Sequence, residues 1–136
     1  MTKRPKRFEQ DTSWEELGFG NFEGGVEIAS FILGETDDPT APVVFHGKYP
    51  PGSRTEPHHH VTDYAEIILS GTQQVTRQWY KAGDVRIIEA GTAYGPLIAG
   101  PEGCETLVIF RNQNWMSRGQ KNPVDLGDKL PTPIES

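Results

Sequence analysis

The chain has 136 residues, of which 35% are hydrophobic, and this is the size of one domain with a core of its own. Its formal net charge of -6 argues against general nucleic-acid binding, because a protein that binds phosphates needs a concentrated basic surface. The single cysteine excludes an internal disulfide, and no apolar segment has the length of a signal sequence core or of a membrane span. We therefore expect a cytoplasmic protein with no nucleic-acid and no membrane partner.

An arm is expected to precede the main domain. It spans residues 1–25, and its Ser-x-x-Glu pattern from Ser13 to Glu16 predicts a capping box for one helical turn at most. Three aromatic side chains of the arm need cover, either from the outside of the domain or from a neighbouring subunit. They are Trp14, Phe19 and Phe22.

Short strands separated by turn residues dominate the rest of the chain. Fifteen glycines and eleven prolines favour many short strands over a helical bundle. The apolar patterns predict strands at residues 26–33, 43–49, 64–70, 73–80, 84–88, 94–99 and 105–110, with a turn at residues 100–103. No predicted helix is long enough for a parallel crossover, so we expect an all-β jelly roll of two antiparallel sheets or a barrel.

The domain is predicted to span residues 26–115, followed by an extended C-terminal tail at residues 116–136. The tail has few apolar residues and three prolines, so any order in it should depend on docking. The arm and the tail are easier to bury against a second copy than against one small barrel. We therefore predict a homodimer.

Histidines cluster where a Pro-Pro-Gly turn leads into an apolar strand, within residues 52–71. His58 and His60 stand two apart, so on an extended chain their imidazoles point the same way and can start a metal site. Continued alternation places Tyr64 and Glu66 on one face of the next strand, and that face can be the histidines' face. Two imidazoles, a phenol and a carboxylate therefore form the candidate site.

The same segment resembles the first motif of the cupin family, Gly-x5-His-x-His-x3/4-Glu-x6-Gly. Gly52, His58, His60 and Gly71 fit this motif, whereas Tyr64 stands where the family has its glutamate. Glu66 stands two residues after Tyr64, on the same face of the strand.

A second segment resembles the other cupin motif, Gly-x5-Pro-x-Gly-x2-His-x3-Asn. Gly83 and Gly91 match it, and Tyr94 stands at the position of a ligand histidine. The proline and asparagine positions are held by Glu89 and Ile98. Half of the chemistry of this motif has therefore changed.

The resemblance covers residues 43–110 and implies a small single-domain cupin barrel, a double-stranded β-helix. It implies a divalent metal ion on His58 and His60, with Fe(II) favoured and zinc, manganese or nickel as alternatives. Glu66 can complete a set of two histidines and one carboxylate, which leaves open positions on Fe(II) for substrate and oxygen. In the alternative, these histidines lie at the barrel mouth and bind no ion.

The role of the carboxylate is open at this point. Glu66 is either a metal ligand or a barrel carboxylate that accepts a hydrogen bond from Tyr64 or Arg86. Asp63 is a substitute ligand only if the strand is bulged, because strict alternation turns it away from Tyr64. We place Arg86 outside the site, since arginine is commoner on the outer face of a sheet.

Tyr64, Tyr94 and Glu66 are the candidate catalytic residues, with Tyr64 or Tyr94 donating or accepting a proton. A phenol is a poor ligand for Fe(II) or zinc, because its pKa of about 10 must fall before it offers a phenolate. Tyr94 is therefore predicted to contact the substrate or a metal-bound water rather than the metal.

Two functions from different classes fit this pattern. The first is a metal-dependent oxidoreductase, with a dioxygenase favoured, that acts on a small organic molecule inside the barrel. The second is a cupin that binds or senses a small molecule without turnover, through a degenerate metal site. Cupins include oxygenases, lyases and isomerases, so the resemblance narrows the architecture more than the reaction.

Overall fold

The computed structural model describes residues 10–115 and the backbone of residues 117–119. Two short helical segments, α1 (Trp14–Leu17) and a 3-10 turn (Glu23–Gly25), lie in the arm. None of the described helices is long and apolar enough to cross a membrane. The strands are β1 (Gly20–Asn21), β2 (Glu27–Ile32), β3 (Val43–Tyr49), β4 (Arg54–Thr55), β5 (His58–His60), β6 (Tyr64–Val75), β7 (Gln78–Lys81), β8 (Val85–Ile88), β9 (Leu97–Phe110) and β10 (Ser117–Gly119).

All pairs between these strands are antiparallel, which confirms the predicted all-β fold. The larger sheet has the order β1-β2-β3-β9-β6-β7, with β4 added beside β9 and β8 beside β6. The long strands β6 and β9 form its centre and pair from Tyr64 opposite Phe110 to Val75 opposite Leu97. The smaller sheet consists of β5 and β10.

The strand predictions hold best where both faces of a strand are buried. The bounds of β3 are those predicted, and all but its last two residues are buried. The predicted turn at residues 100–103 is wrong, because β9 runs through it with a large bulge opposite Thr72. The predicted strand at residues 73–80 is also wrong as one element, since its first part belongs to β6 and its last part to β7.

The core lies inside the barrel, under the inward faces of β3, β6, β8 and β9. Its larger cluster is mainly aromatic and β-branched, which suits a pleated surface. The buried members of that cluster are Val43, Phe45, Tyr64, Ile88, Val108 and Phe110. The candidate tyrosine at the start of β6 is therefore part of the core wall.

The arm packs on the outer face of its own barrel. Ser13 caps α1 by accepting a hydrogen bond from the Glu16 backbone N–H at 3.1 Å, as the capping pattern predicts. The rings of Trp14 and Phe19 lie 4.9 and 5.5 Å from the His46 ring, which faces outward from β3. The first of the two expected partners of the arm, the outside of the domain, is therefore the one observed for these rings.

The chain returns to the histidines after β9. Ser117 pairs with His60 and Gly119 pairs with His58, so the start of the predicted tail forms β10 beside β5. Residues 1–9 of the predicted arm and the remaining tail residues, 116 and 120–136, lie outside the described residues.

Candidate functional site

Backbone pairing brings His58 and Tyr94 together, although they are far apart in sequence. His58 N–H donates to the Tyr94 carbonyl at 3.0 Å, and Tyr94 N–H donates to the His58 carbonyl at 3.1 Å. This isolated bridge lies before β9, so Tyr94 does not belong to the strand predicted at residues 94–99. The bridge places the Tyr94 hydroxyl 3.5 Å from Nε2 of His58.

Each of the two candidate imidazoles is held through its Nδ1 atom. Nδ1 of His58 lies 2.8 Å from the Glu56 carbonyl oxygen, and Nδ1 of His60 lies 2.5 Å from the Trp115 carbonyl oxygen. A carbonyl only accepts, so each Nδ1 carries the hydrogen and donates it. Each Nε2 therefore carries the lone pair, which is the arrangement found in histidines that bind metals, and the lone pair of His58 faces the Tyr94 hydroxyl at 3.5 Å.

The two imidazoles lie side by side in their neutral form. Their ring centroids are 5.1 Å apart, at an interplanar angle of 89°. Desolvation lowers the pKa of His58, and it lowers the pKa of His60 to about 3. Both rings are therefore neutral near pH 7, which is the state that binds a metal ion.

Tyr64 lies against this pair, as the alternation predicts. Its ring centroid is 4.8 Å from that of His60 and 5.0 Å from that of Phe110. The side chain is 94% buried, and its hydroxyl has no hydrogen-bond partner among the described residues. A buried hydroxyl without a partner costs free energy, so this atom is suited to a bound ligand.

Glu66 is also inside the barrel, but its carboxylate is occupied. Oε1 accepts hydrogen bonds from Nη1 of Arg86 and, at 3.1 Å, from Nε2 of Gln73. Glu66 and Arg86 are direct cross-strand partners of β6 and β8, so their side chains share the inward face. The hydrogen bond between Glu66 and Arg86 that one of the two alternatives described is therefore present.

The expectation that Arg86 lies on the outer face of the sheet is wrong. Its side chain is buried, and its guanidinium lies 4.7 Å from the Tyr94 ring centroid and 5.5 Å from the Tyr80 ring centroid. The sequence concealed this because β8 has its more apolar residues, Val85 and Ile87, on the exposed face.

The predicted set of two histidines and Glu66 is not assembled as a metal site. Within residues 10–115, no three His, Cys, Asp or Glu side chains are arranged to hold an ion. Asp63, the substitute, instead accepts hydrogen bonds from Arg111 at 3.1 Å and from the Ala90 backbone N–H at 2.8 Å. The imidazoles of His58 and His60 fit a metal ion as ligands, whereas the role of Glu66 as a ligand stays a prediction.

The phenol of Tyr94 forms a wall between the imidazoles and a cavity. Burial raises its pKa well above the usual value, so the group is a neutral hydrogen-bond donor. The cavity beyond it has a volume of about 630 Å³, within the range of small-molecule sites. Tyr80, Arg86 and Ile88 contribute to its inner wall.

No protein-family model matches the sequence, and no curated protein matches it either. Solved structures do match. The polyketide cyclase RemF from Streptomyces resistomycificus is 14% identical, with a TM-score of 0.69 over 89% of this chain and 92% of that chain. An RmlC-like cupin from Shewanella frigidimarina is 15% identical, with a TM-score of 0.64 over 78% and 93% of the two chains.

Oxalate decarboxylase from Bacillus subtilis is 17% identical, with a TM-score of 0.63 over 80% of this chain but only 30% of its own. Identities this low establish a shared fold and leave the reaction open. Together with the antiparallel barrel and the two sequence motifs, these matches confirm the resemblance at the level of the fold. The chain has the cupin fold.

Proposed function

We propose that this protein is a metal-dependent enzyme that acts on a small enolisable carbonyl compound inside the barrel. The observation that carries the proposal is the pair of neutral imidazoles, His58 and His60, which are both fixed through Nδ1 and both carry their lone pair on Nε2. Such rigid presentation is what a metal site requires of its ligands.

His58 and His60 are the residues that would hold a divalent ion. Imidazole suits iron, zinc and nickel, so this pair supports the metals expected from the sequence without selecting one of them. When bound, the ion would polarise a carbonyl or enol oxygen of the substrate as a Lewis acid.

The remaining interior residues position the substrate and keep water out. The hydroxyl of Tyr64 would hydrogen-bond a substrate oxygen, and the neutral phenol of Tyr94 would donate to an oxygen that gains negative charge during enolisation. Tyr64 and Tyr94 both pack in the aromatic core cluster, where the Tyr64 ring lies 5.0 Å from that of Phe110. Apolar walls strengthen each hydrogen bond by lowering the local dielectric constant.

Proton transfer is supported better than activation of oxygen. The oxygenase hypothesis relies on Glu66 as a carboxylate ligand, and in the structure this carboxylate pairs with Arg86. Enolisation needs a polarised carbonyl, a donor to its oxygen and a base that accepts the α-proton. The phenol of Tyr94 would be the donor, and the interior carboxylate of Glu66 would accept the α-proton.

A protein that binds a small molecule without turnover is the second candidate. Two observations favour it. The carboxylate of Glu66 is paired with Arg86, and Tyr94 stands at the histidine position of the second motif. Ligand binding that survives a chelator, with no reaction of the ligand, is the result expected from this candidate.

A test of the proposed function uses 1,3-diketones and hydroxyaryl ketones with the full chain, loaded with Fe(II) or zinc. We expect the α-proton of at least one compound to exchange with solvent deuterium, because enolisation removes that proton and returns a deuteron. Proton NMR measures the exchange, which should stop with a chelator. Oxygen uptake in an electrode would instead support the oxygenase hypothesis, and neither signal with metal bound would favour the second candidate.

Replacing Tyr64 by Phe should separate stability from function. The variant removes a buried hydroxyl without a partner in residues 10–115, so the free energy of unfolding should stay equal or rise by about 1 kcal/mol. Deuterium exchange should fall by about tenfold, because the substrate loses a hydrogen bond in a site of low dielectric constant. Urea denaturation and NMR measure the two effects, and a loss of stability with unchanged exchange would assign Tyr64 to packing alone.

A small molecule is the proposed partner of the interior, and a second copy remains the proposed partner of the exterior. The outer face of β6 and β8 exposes Leu69, Val85 and Ile87, with exposed fractions of 44%, 56% and 84%. Exposed apolar side chains of this kind are typical of protein interfaces. Light scattering at micromolar concentration tests the homodimer, and a monomeric mass would refute it.

A further inference from the structure

We propose that the cavity beside Tyr94 selects uncharged, planar aromatic or conjugated molecules, and that the ion pair between Glu66 and Arg86 makes it reject anions. This inference goes beyond the proposed function, because the phenol of Tyr94 separates this cavity from the imidazoles. It names the class of ligand that the cavity would take.

The cavity of about 630 Å³ lies between β7, β8 and the segment that follows β8. Its inner wall contains Tyr80, Arg86 and Tyr94. The hydroxyl of Tyr94 lies 3.5 Å from Nε2 of His58. A molecule in this cavity is therefore separated from the imidazoles by one phenol. Its rim carries one exposed side chain of each sign, Arg77 and Glu89.

The charge on the inner wall is balanced. Among the described residues that line the cavity, Arg86 is the buried cation, and its side chain is only 8% exposed. Nη1 of Arg86 donates to Oε1 of Glu66, whose own side chain is 5% exposed. Gln73 adds a neutral hydrogen bond to the same oxygen. The pair therefore has no net charge to offer an anionic ligand.

An anion that reached the buried inner wall of this cavity, at Arg86 and Ile88, would lose its water at a large free-energy cost. A carboxylate that leaves water needs a compensating charge, and the guanidinium of Arg86 is already paired with Glu66. An uncharged ring avoids this cost and gains contacts with aromatic side chains. Tyr80 and Tyr94 line the cavity beside Arg86, so a planar ligand can contact aromatic rings that the guanidinium covers on one face only.

The test compares salicylamide with salicylate, which have the same size and shape but differ in charge. Isothermal titration of the full chain, made metal-free with a chelator, measures both affinities without relying on the metal. We expect the wild-type chain to bind salicylamide at least about tenfold more tightly than salicylate, because the cavity lacks a free counter-charge. Equal affinities, a preference for salicylate, or no binding of either probe would overturn the inference.

Glu66→Gln should reverse the preference, because it leaves Arg86 buried without a counter-charge and so creates a site for an anion. Glu105→Gln is the matched control, since it removes the same charge from a carboxylate that lies 3.0 Å from Nε2 of His46 on the outer face of the barrel. The control should keep the wild-type preference. A reversal in both variants, or in neither, would contradict the role of Glu66.

A double variant keeps the test valid if Glu66→Gln does not fold. Glu66→Gln with Arg86→Met removes both charges, so no charge is left buried alone, and the preference for salicylamide should return. A preference for salicylate in this variant would overturn the inference. Metal binding by the histidines, measured on the same samples, shows separately whether the proposed function fails.

Discussion

Gly71→Ala should destabilise the protein by about 3–5 kcal/mol, because the substitution combines an unfavourable backbone conformation with a steric overlap. Gly71 has a φ of 75°, in the left-handed region that favours glycine. A Cβ at this position would overlap the carbonyl oxygen of Gly103, which lies on the facing strand β9. Neither backbone can move away easily, since β6 and β9 form the centre of the larger sheet.

Gly83→Ala is the matched control for this prediction. Gly83 has a φ of 95°, but a Cβ there would have no atom within 4 Å. It should therefore lose only the conformational part, about 1–2 kcal/mol. Guanidinium denaturation of both variants measures the difference, and equal losses would show that the close approach of β6 to β9 contributes nothing.

The sequence predicts the parts of the fold that depend on local pattern. β3 has its predicted bounds because it is flanked by prolines at positions 42 and 50 and is buried over most of its length. The motif glycine Gly71 is explained in the same way, since its φ and its contact with β9 both require glycine. Such features depend on residues that are close in sequence, or on a position that only one residue type can occupy.

Other parts of the fold depend on partners that the sequence does not place. β5 has only three residues and exists through pairing with β10, which is more than fifty residues away in the chain. β9 passes through the Gly-Pro-Glu-Gly sequence at residues 100–103 because a bulge opposite Thr72 accommodates it. Local turn chemistry correctly marked an irregularity there but could not distinguish a bulge from a turn.

The candidate site was predictable where alternation holds. His58 and His60 do lie side by side, with Tyr64 against His60. Arg86 could not be placed, because the apolar pattern of β8 favours the wrong face and only the register with β6 brings it opposite Glu66. The roles of these residues in catalysis stay predictions.

Replacing both His58 and His60 by Ala should abolish metal binding while the barrel remains folded. Each substitution removes one nitrogen atom, Nε2, that would bind the metal. Removing only a hydrogen bond to a metal ligand lowers metal affinity by about 10- to 100-fold, so removing both ligands should lower it by more than about 100-fold. β5 lies in the small two-stranded sheet, outside the central strands of the larger one. Zinc titration measures the affinity, and circular dichroism of the metal-free protein checks the fold.

His59→Ala is the control for that double variant. His59 lies between the two candidate ligands in β5, where alternation directs it to the opposite face. It should bind metal as the wild-type chain does. Equal loss of metal in the control would mean that the histidine segment acts through its charge or its fold rather than through two defined imidazoles.

The most direct measurement is an anomalous difference map from crystals of the untagged protein grown with zinc. The central claim is that the two Nε2 atoms of His58 and His60 hold the ion, while each Nδ1 keeps its hydrogen bond to a backbone carbonyl. The map should therefore show one peak about 2.0–2.1 Å from both Nε2 atoms. A peak on Nδ1 of either histidine, or occupied zinc sites only elsewhere on the molecule, would contradict the claim.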